Sequence, residues 1–346
     1  MAIDRRTFLS MAGAACVSPW LRAGERHPRW LSTGRDRDGR YWLAGVGRGD
    51  DLAFKSPLPG RAHGFAVAPD RPQALVFARR PGNWAGVFSP LDGRISRWLE
   101  PPRDHLFVGH GCWLEDRCWV ALGSESSDAR LGIWSPVNGH WTDRIALPGI
   151  GAHEVVAHPG GEGLAVAVGG LDNSVRASGE AFRSALILLD GLGRVRTTLT
   201  SPRPGFSVRH LDADEDHVYV GLQYYGPDRT DLPLVYRVAW RDPAWQPLPA
   251  EPWQWLQMNS YIASVVCGPW GVSVSSPKGH HVMHWRFEAP VAMEPMRDVA
   301  ALAGTNDRLW AGNGLGQWRR SNTSGSTARS GIVPLAWDNH GAVAWV

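Results

Sequence analysis

One unit recurs along this chain: a histidine, three to five apolar or small residues, a turn rich in Pro, Asp or Gly, then a second apolar run. Repetition on this scale constrains architecture more than any local motif does, because each unit must bury its apolar face against its neighbours. The unit is clearest at Gly151-Ala152-His153-Glu154-Val155-Val156-Ala157-His158-Pro159, and it returns at Ala62-His63-Gly64, Gly109-His110-Gly111 and Arg209-His210-Leu211. No stretch carries a long helical period. Short alternating or apolar runs between Gly, Pro, Asp and Asn turns read as strands.

Aligned on the histidine, each unit has room for four strands, the first following the histidine directly. Second strands are expected at 74–78, 119–122, 164–168 and 218–222, and third strands at 84–88, 131–134, 185–189 and 234–238. Fourth strands are expected at 95–99, 144–147, 195–199 and 253–256. Two further units begin at Tyr261 and at about Asp298 without a histidine. A last one begins at His340 with space for a single strand, and the runs at 30–33, 40–46 and 52–58 supply the missing three from the other end.

Unit starts at His63, His110, His153, His210, Tyr261, Asp298 and His340 are separated by 47, 43, 57, 51, 37 and 42 residues. A four-stranded propeller blade takes roughly 40 to 50. The expectation is therefore an all-β, seven-bladed β-propeller in which N- and C-terminal strands share one blade, an arrangement that leaves no open seam. A pair of β-sandwiches competes with it, but would have no reason to place matching half-units at the two termini. The 19 Trp residues fit half-buried pleated surfaces.

In a propeller the first strand of each blade lines the central channel, so the residues just before it form a ring at one mouth. Five members of that ring are imidazoles, from His63, His110, His153, His210 and His340, joined by Tyr261 and Asp298. Imidazole is a ligand for Zn, Cu and Fe, and carboxylate or phenolate suits iron as well. Glu154, beside His153, reads as a further ligand, as a partner that sets a histidine tautomer, or as a proton acceptor. Three readings of the ring stay open: histidines that hydrogen-bond within their own blades, a transition-metal or prosthetic-group site, and a metal-free ligand site. His158 belongs to a hairpin turn, and His280, His281 and His284 are expected at the surface, away from the axis.

Other chemistries have little support. The net charge of +3 is spread along the chain and gives no basic tract for nucleic acid or an anionic membrane. No GxSxG elbow or Ser or Cys beside a base is visible, and Gly169-Gly170 leads into Leu171-Asp172 rather than a phosphate-binding helix. Arg79-Arg80-Pro81-Gly82 reads as an exposed turn able to meet an anionic group. No CxxC or CxxCH occurs, which argues against a thiolate zinc site and covalent haem. Cys112 and Cys118 flank one tight turn, where the expected register sets them diagonal rather than opposite; a disulfide there is allowed but not expected.

At the N-terminus, Asp4-Arg5-Arg6-Thr7-Phe8-Leu9 forms a twin-arginine export motif, followed by an apolar run to about Leu21 that is too short for a stable anchor. Residues 1–23 are expected to be removed as a signal peptide, leaving 24–346 as one propeller domain in the periplasm. Ala14-Ala15-Cys16 lacks the leucine that lipoprotein cleavage uses.

The pieces Leu58-Pro59-Gly60-Arg61-Ala62-His63-Gly64, Val76-Phe77-Ala78-Arg79-Arg80-Pro81-Gly82, Gly109-His110-Gly111, Gly149-Ile150-Gly151-Ala152-His153-Glu154, Ser207-Val208-Arg209-His210-Leu211 and Trp337-Asp338-Asn339-His340 resemble the family known as domain of unknown function 1513. The resemblance spans nearly the whole chain after the leader. It implies a twin-arginine exported propeller of Gram-negative bacteria, encoded near imelysin-like peptidase domain proteins and a di-haem oxidase, and hence an iron-uptake setting. The chain departs from the family pattern at Leu171-Asp172-Asn173-Ser174-Val175-Arg176, where a Thr-His-Pro segment is usual, and at Gly123-Ser124-Glu125-Ser126.

Two functions follow as expectations. One is a periplasmic propeller that binds iron, or alternatively copper, through His63, His110, His153, Glu154, His210 and His340 for an uptake or redox system. The other is a metal-free scaffold that docks imelysin-like or di-haem partners. Catalysis is left open, with a metal-dependent hydrolase needing Glu154 as base, and a monomer is expected.

Overall fold

The computed structural model describes residues 28–47, 51–124, 128–170, 184–286, 291–322 and 327–346. Within them the chain forms seven four-stranded antiparallel sheets. The expected signal peptide, half of the departure at 123–126 and all of that at 171–176 lie outside the described residues.

Blade one is closed by both ends of the chain. Its innermost strand is the C-terminal Ala336–Trp345, paired with Pro28–Arg35, then Tyr41–Val46 and Leu52–Leu58 outward. Blades two to seven start with inner strands Ala62–Val67, His105–Leu114, Ala152–Ala157, Phe206–Ala213, Ser264–Gly268 and Val299–Gly304 and run outward in chain order. Each inner strand neighbours the next, and Ala336–Trp345 touches both Val299–Gly304 and Ala62–Val67, so the ring is complete.

The layering follows the apolar pattern. Second strands such as Ala74–Ala78 and Gly163–Val168 are buried at every position, which is why they read as unbroken apolar runs. Outermost strands such as Val195–Thr200 alternate towards solvent. Trp30 and Trp134, both buried, wedge between sheets, Trp30 against Trp337 with ring centroids 5.0 Å apart. Among the described residues, no helix is long and apolar enough to cross a membrane.

One expected strand is not a strand. Residues 253–256 belong to a short helix, Pro252–Gln257, and the fourth strand of blade five is only Gln246–Pro247. The cause is local: Pro252 presets the first helical φ, and Glu251 and Gln254 form a reciprocal capping box. Cys112 pairs with Trp119 and Cys118 with Trp113, the diagonal placement expected, and all three described cysteines are free thiols.

Candidate metal centre

The inner strands carry a recurrent irregularity at the point where they enter the channel. Pairing with the second strand slips between Ala62 and Phe65, Phe107 and Gly111, Ala152 and Val155, and Val208 and His210. The closing strand slips likewise between Trp337 and Gly341. A bulge leaves residues outside the ladder and re-aims their side chains. Here it turns His63, His110, His153, His210 and His340, which lie in or beside these slips, towards one another.

Glycine makes the approach feasible. Gly109 has φ 110°, and a Cβ there would lie 2.5 Å from His63 Cδ2. One at Gly64 would lie 2.6 Å from the Gly109 carbonyl oxygen. His63-Gly64 and Gly109-His110 thus interlock across a blade boundary, a contact that side chains at either glycine would block.

The five imidazoles converge. Ring centroids are 4.7 Å apart for His63 and His110, 4.7 Å for His63 and His340, 5.0 Å for His110 and His153, 4.9 Å for His153 and His210, and 4.8 Å for His210 and His340. Three ligand sets have donor atoms mutually within 4.8 Å: His63–His110–His340, His110–His153–His210, and Glu154–His210–His340. His63, His110, His210 and His340 are buried, and His153 and Glu154 nearly so.

Hydrogen bonding sets the tautomers. Glu154 Oε1 accepts from His110 Nδ1 at 3.2 Å, and Oε2 accepts from His210 Nδ1 at 3.1 Å and from the Leu211 amide at 2.9 Å. The Ser264 hydroxyl donates to the Asn339 carbonyl and faces His340 Nδ1 at 3.1 Å, so it accepts the proton there. These contacts place protons on Nδ1 and leave Nε2 lone pairs free. His110 Nε2, His153 Nε2, His340 Nε2 and His63 Nδ1 are all buried without a hydrogen-bond partner. Buried polar atoms are satisfied as a rule, and a cluster of unpartnered imidazole nitrogens, those of His110 and His340 being lone pairs, fits a cation that they would share.

Electrostatics points the same way. Burial, followed by the neighbouring imidazoles or Arg209, holds His63, His153 and His340 well below the ordinary histidine range, and burial lowers His210 despite Glu154. Burial opposes the charge of Glu154, but the contacts with His110 and His210 outweigh it and hold the carboxyl well below the usual range. A carboxylate held this firmly is a weak proton acceptor.

Tyr261 and Asp298 do not join the ring. Tyr261 bridges to Gln223, with Lys278 4.5 Å above its ring. Asp298 is an exposed turn residue with φ 56°. The inner strand of blade six pairs without a bulge, and its first residue, Ser264, takes the place opposite His340. His158 caps its own turn, accepting from the Gly160 amide at 2.9 Å, as expected. His284 is not a surface residue: it is 2% exposed, with Ser273 Oγ at 2.7 Å from Nδ1, because the third strand of blade six is covered on that face.

The ring caps one end of an axial cavity of about 550 Å³, lined there by His110, Glu154 and His340 and at its far end by Pro69, Pro159 and Gly304. The model for the family described as Protein of unknown function (DUF1513) matches residues 56–344. No curated protein matches the chain. Among solved structures, Kuenenia stuttgartiensis hydrazine synthase is similar at 11% identity, over 84% of this chain and 76% of that one, with a TM-score of 0.48.

Proposed function

We propose that the chain, which belongs to the DUF1513 family, binds a transition-metal ion on the propeller axis through His63, His110, His153, His210 and His340. The observation that carries this reading is the set of four buried imidazole nitrogens that converge without partners. Glu154 orients two of the rings and supplies the negative charge that a bound cation requires nearby. Neutral nitrogen donors with one carboxylate suit iron(II) and copper(II), and equally zinc; iron is the ion we favour, from the setting that the family resemblance implies. The twin-arginine segment supports a periplasmic location, where such a protein would handle metal for an uptake or redox system. Imelysin-like and di-haem proteins are the partners we propose.

The test is metal analysis of protein purified from periplasm, comparing wild type with the His110→Ala/His153→Ala double variant. Near-stoichiometric metal in the wild type and its loss in the variant is the expected result; equal content in both would overturn the reading. A partner complex that survives both chelator and the double variant would favour a metal-free scaffold instead.

A further inference from the structure

We propose that metal ions reach the histidine ring along the axial cavity from the opposite mouth, passing Cys112, Asp212 and Cys267, which offer separate sulfur and oxygen donors to a thiophilic or borderline transition-metal ion on the way. The proposal rests on the metal-centre reading above.

The cavity runs from the ring to the far hairpins, and all three residues line it. Their spacing is set by the strands. Cys112 lies two residues beyond His110 and Asp212 two beyond His210 on the same inner strands. Side chains repeat their direction every second residue, and two residues advance about 7 Å along a strand. Asp212 therefore stands one step below His210, while Cys112, just past the slip that frees His110, and Cys267 line the same stretch of wall.

Asp212 is held in place from two sides. Its Oδ2 accepts from the Cys267 amide at 2.7 Å and its Oδ1 from the Ala213 amide at 2.9 Å. Much of the remaining wall is apolar, including Val67, Ala303 and Val343. A cation crossing such a bore loses hydration, and oxygen and sulfur donors partway along offset that loss. Cys118 is fully buried in the core between blades and serves as an internal control.

Cobalt(II) provides the probe, since its binding to imidazole is read by visible absorption. Metal-free protein is mixed with Co(II) in a stopped-flow instrument, untreated or after methyl methanethiosulfonate, with mass spectrometry locating the modified thiols. The expected result is modification of Cys112 and Cys267 but not Cys118, with uptake slowed about tenfold or more and the Co(II) bound at equilibrium unchanged. Uptake by the Cys112→Ser/Cys267→Ser variant is expected to be insensitive to the reagent, and Asp212→Asn to slow uptake without lowering final occupancy. Unchanged uptake with both thiols modified overturns the route, as does failure of both thiols to react in the folded protein. Absence of any Co(II) absorption in untreated protein is a different outcome: it removes the histidine centre itself, and the route with it.

Discussion

Glu154 reaches across a blade boundary to accept a hydrogen bond from His110 Nδ1 at 3.2 Å, and this contact decides which nitrogen His110 turns to the axis. With its other oxygen it does the same for His210 of blade five. One carboxylate on blade four thereby orients imidazoles on the blades to either side. Such partners matter because a ligand in the wrong tautomer presents N–H rather than a lone pair.

Replacing Glu154 by Gln is therefore expected to weaken metal binding by roughly 10- to 100-fold. The amide can accept from one imidazole but must present its NH₂ group to the other, forcing a change of tautomer. Competition against a chelator reads the affinity, and a cooperative melt shows that the variant is folded. Unchanged affinity would mean that Glu154 does not set the ligand geometry.

Acid is expected to destabilise the metal-free protein early. His63, His153 and His340 resist protonation in the folded state because they are buried among other imidazoles. The unfolded chain takes up protons below about pH 6.5, and stability then falls by up to roughly 1.4 kcal/mol per pH unit for each such imidazole. The loss begins as pH drops through the ordinary histidine value and continues until the folded-state values are reached; above about pH 7.5 the profile is flat. Melts between pH 8 and 5 check this, and His63→Gln should reduce the slope.

Arg61 and Asp338 tie the closing strand of blade one to the start of blade two, with Nε to Oδ2 at 2.7 Å and Nη2 to Oδ1 at 2.8 Å. The carboxylate is buried and the guanidinium is 39% exposed, which tempers the contribution. Asp338→Asn is expected to cost about 1–2 kcal/mol by denaturant titration. The deficit should vanish in an Arg61→Leu background if the two act as a pair.

Deletion of 336–346 should abolish cooperative folding. That segment supplies the innermost strand of blade one, His340, and both flanking contacts of the inner ring. Without it Pro28–Arg35 becomes an open edge, prone to pairing with other chains. Size-exclusion chromatography should show aggregates, and adding a peptide of residues 336–346 during refolding should restore some monomer.

Much of the site could be anticipated because the five histidines stand at equivalent places in a repeat, and repeats map onto rings. The repeat alone left three readings of those histidines open. Tyr261 and Asp298 show the limit: the inner strand of blade six pairs without a bulge, that of blade seven slips only beyond Asp298, between Val299 and Ala301, and neither difference leaves a reliable mark in one unit's sequence. The helix at 252–257 was legible in principle from Glu251-Pro252 and Gln254, but two tryptophans in a slot that needed a fourth strand read as strand.

The amino-acid sequence by itself determined the architecture. Apolar periodicity, turn residues and unit length are local properties, and a matching half-unit at each terminus permits one closed arrangement. Only the tertiary structure decided what the histidines do to one another. Which nitrogen is protonated, which rings Glu154 contacts, and how Ser264 and Asp212 line the same channel all depend on distances of about 3 Å between residues dozens apart in the chain. Hydrogen bonds and metal–ligand bonds respond to tenths of an ångström, a scale that spacing along a sequence does not carry.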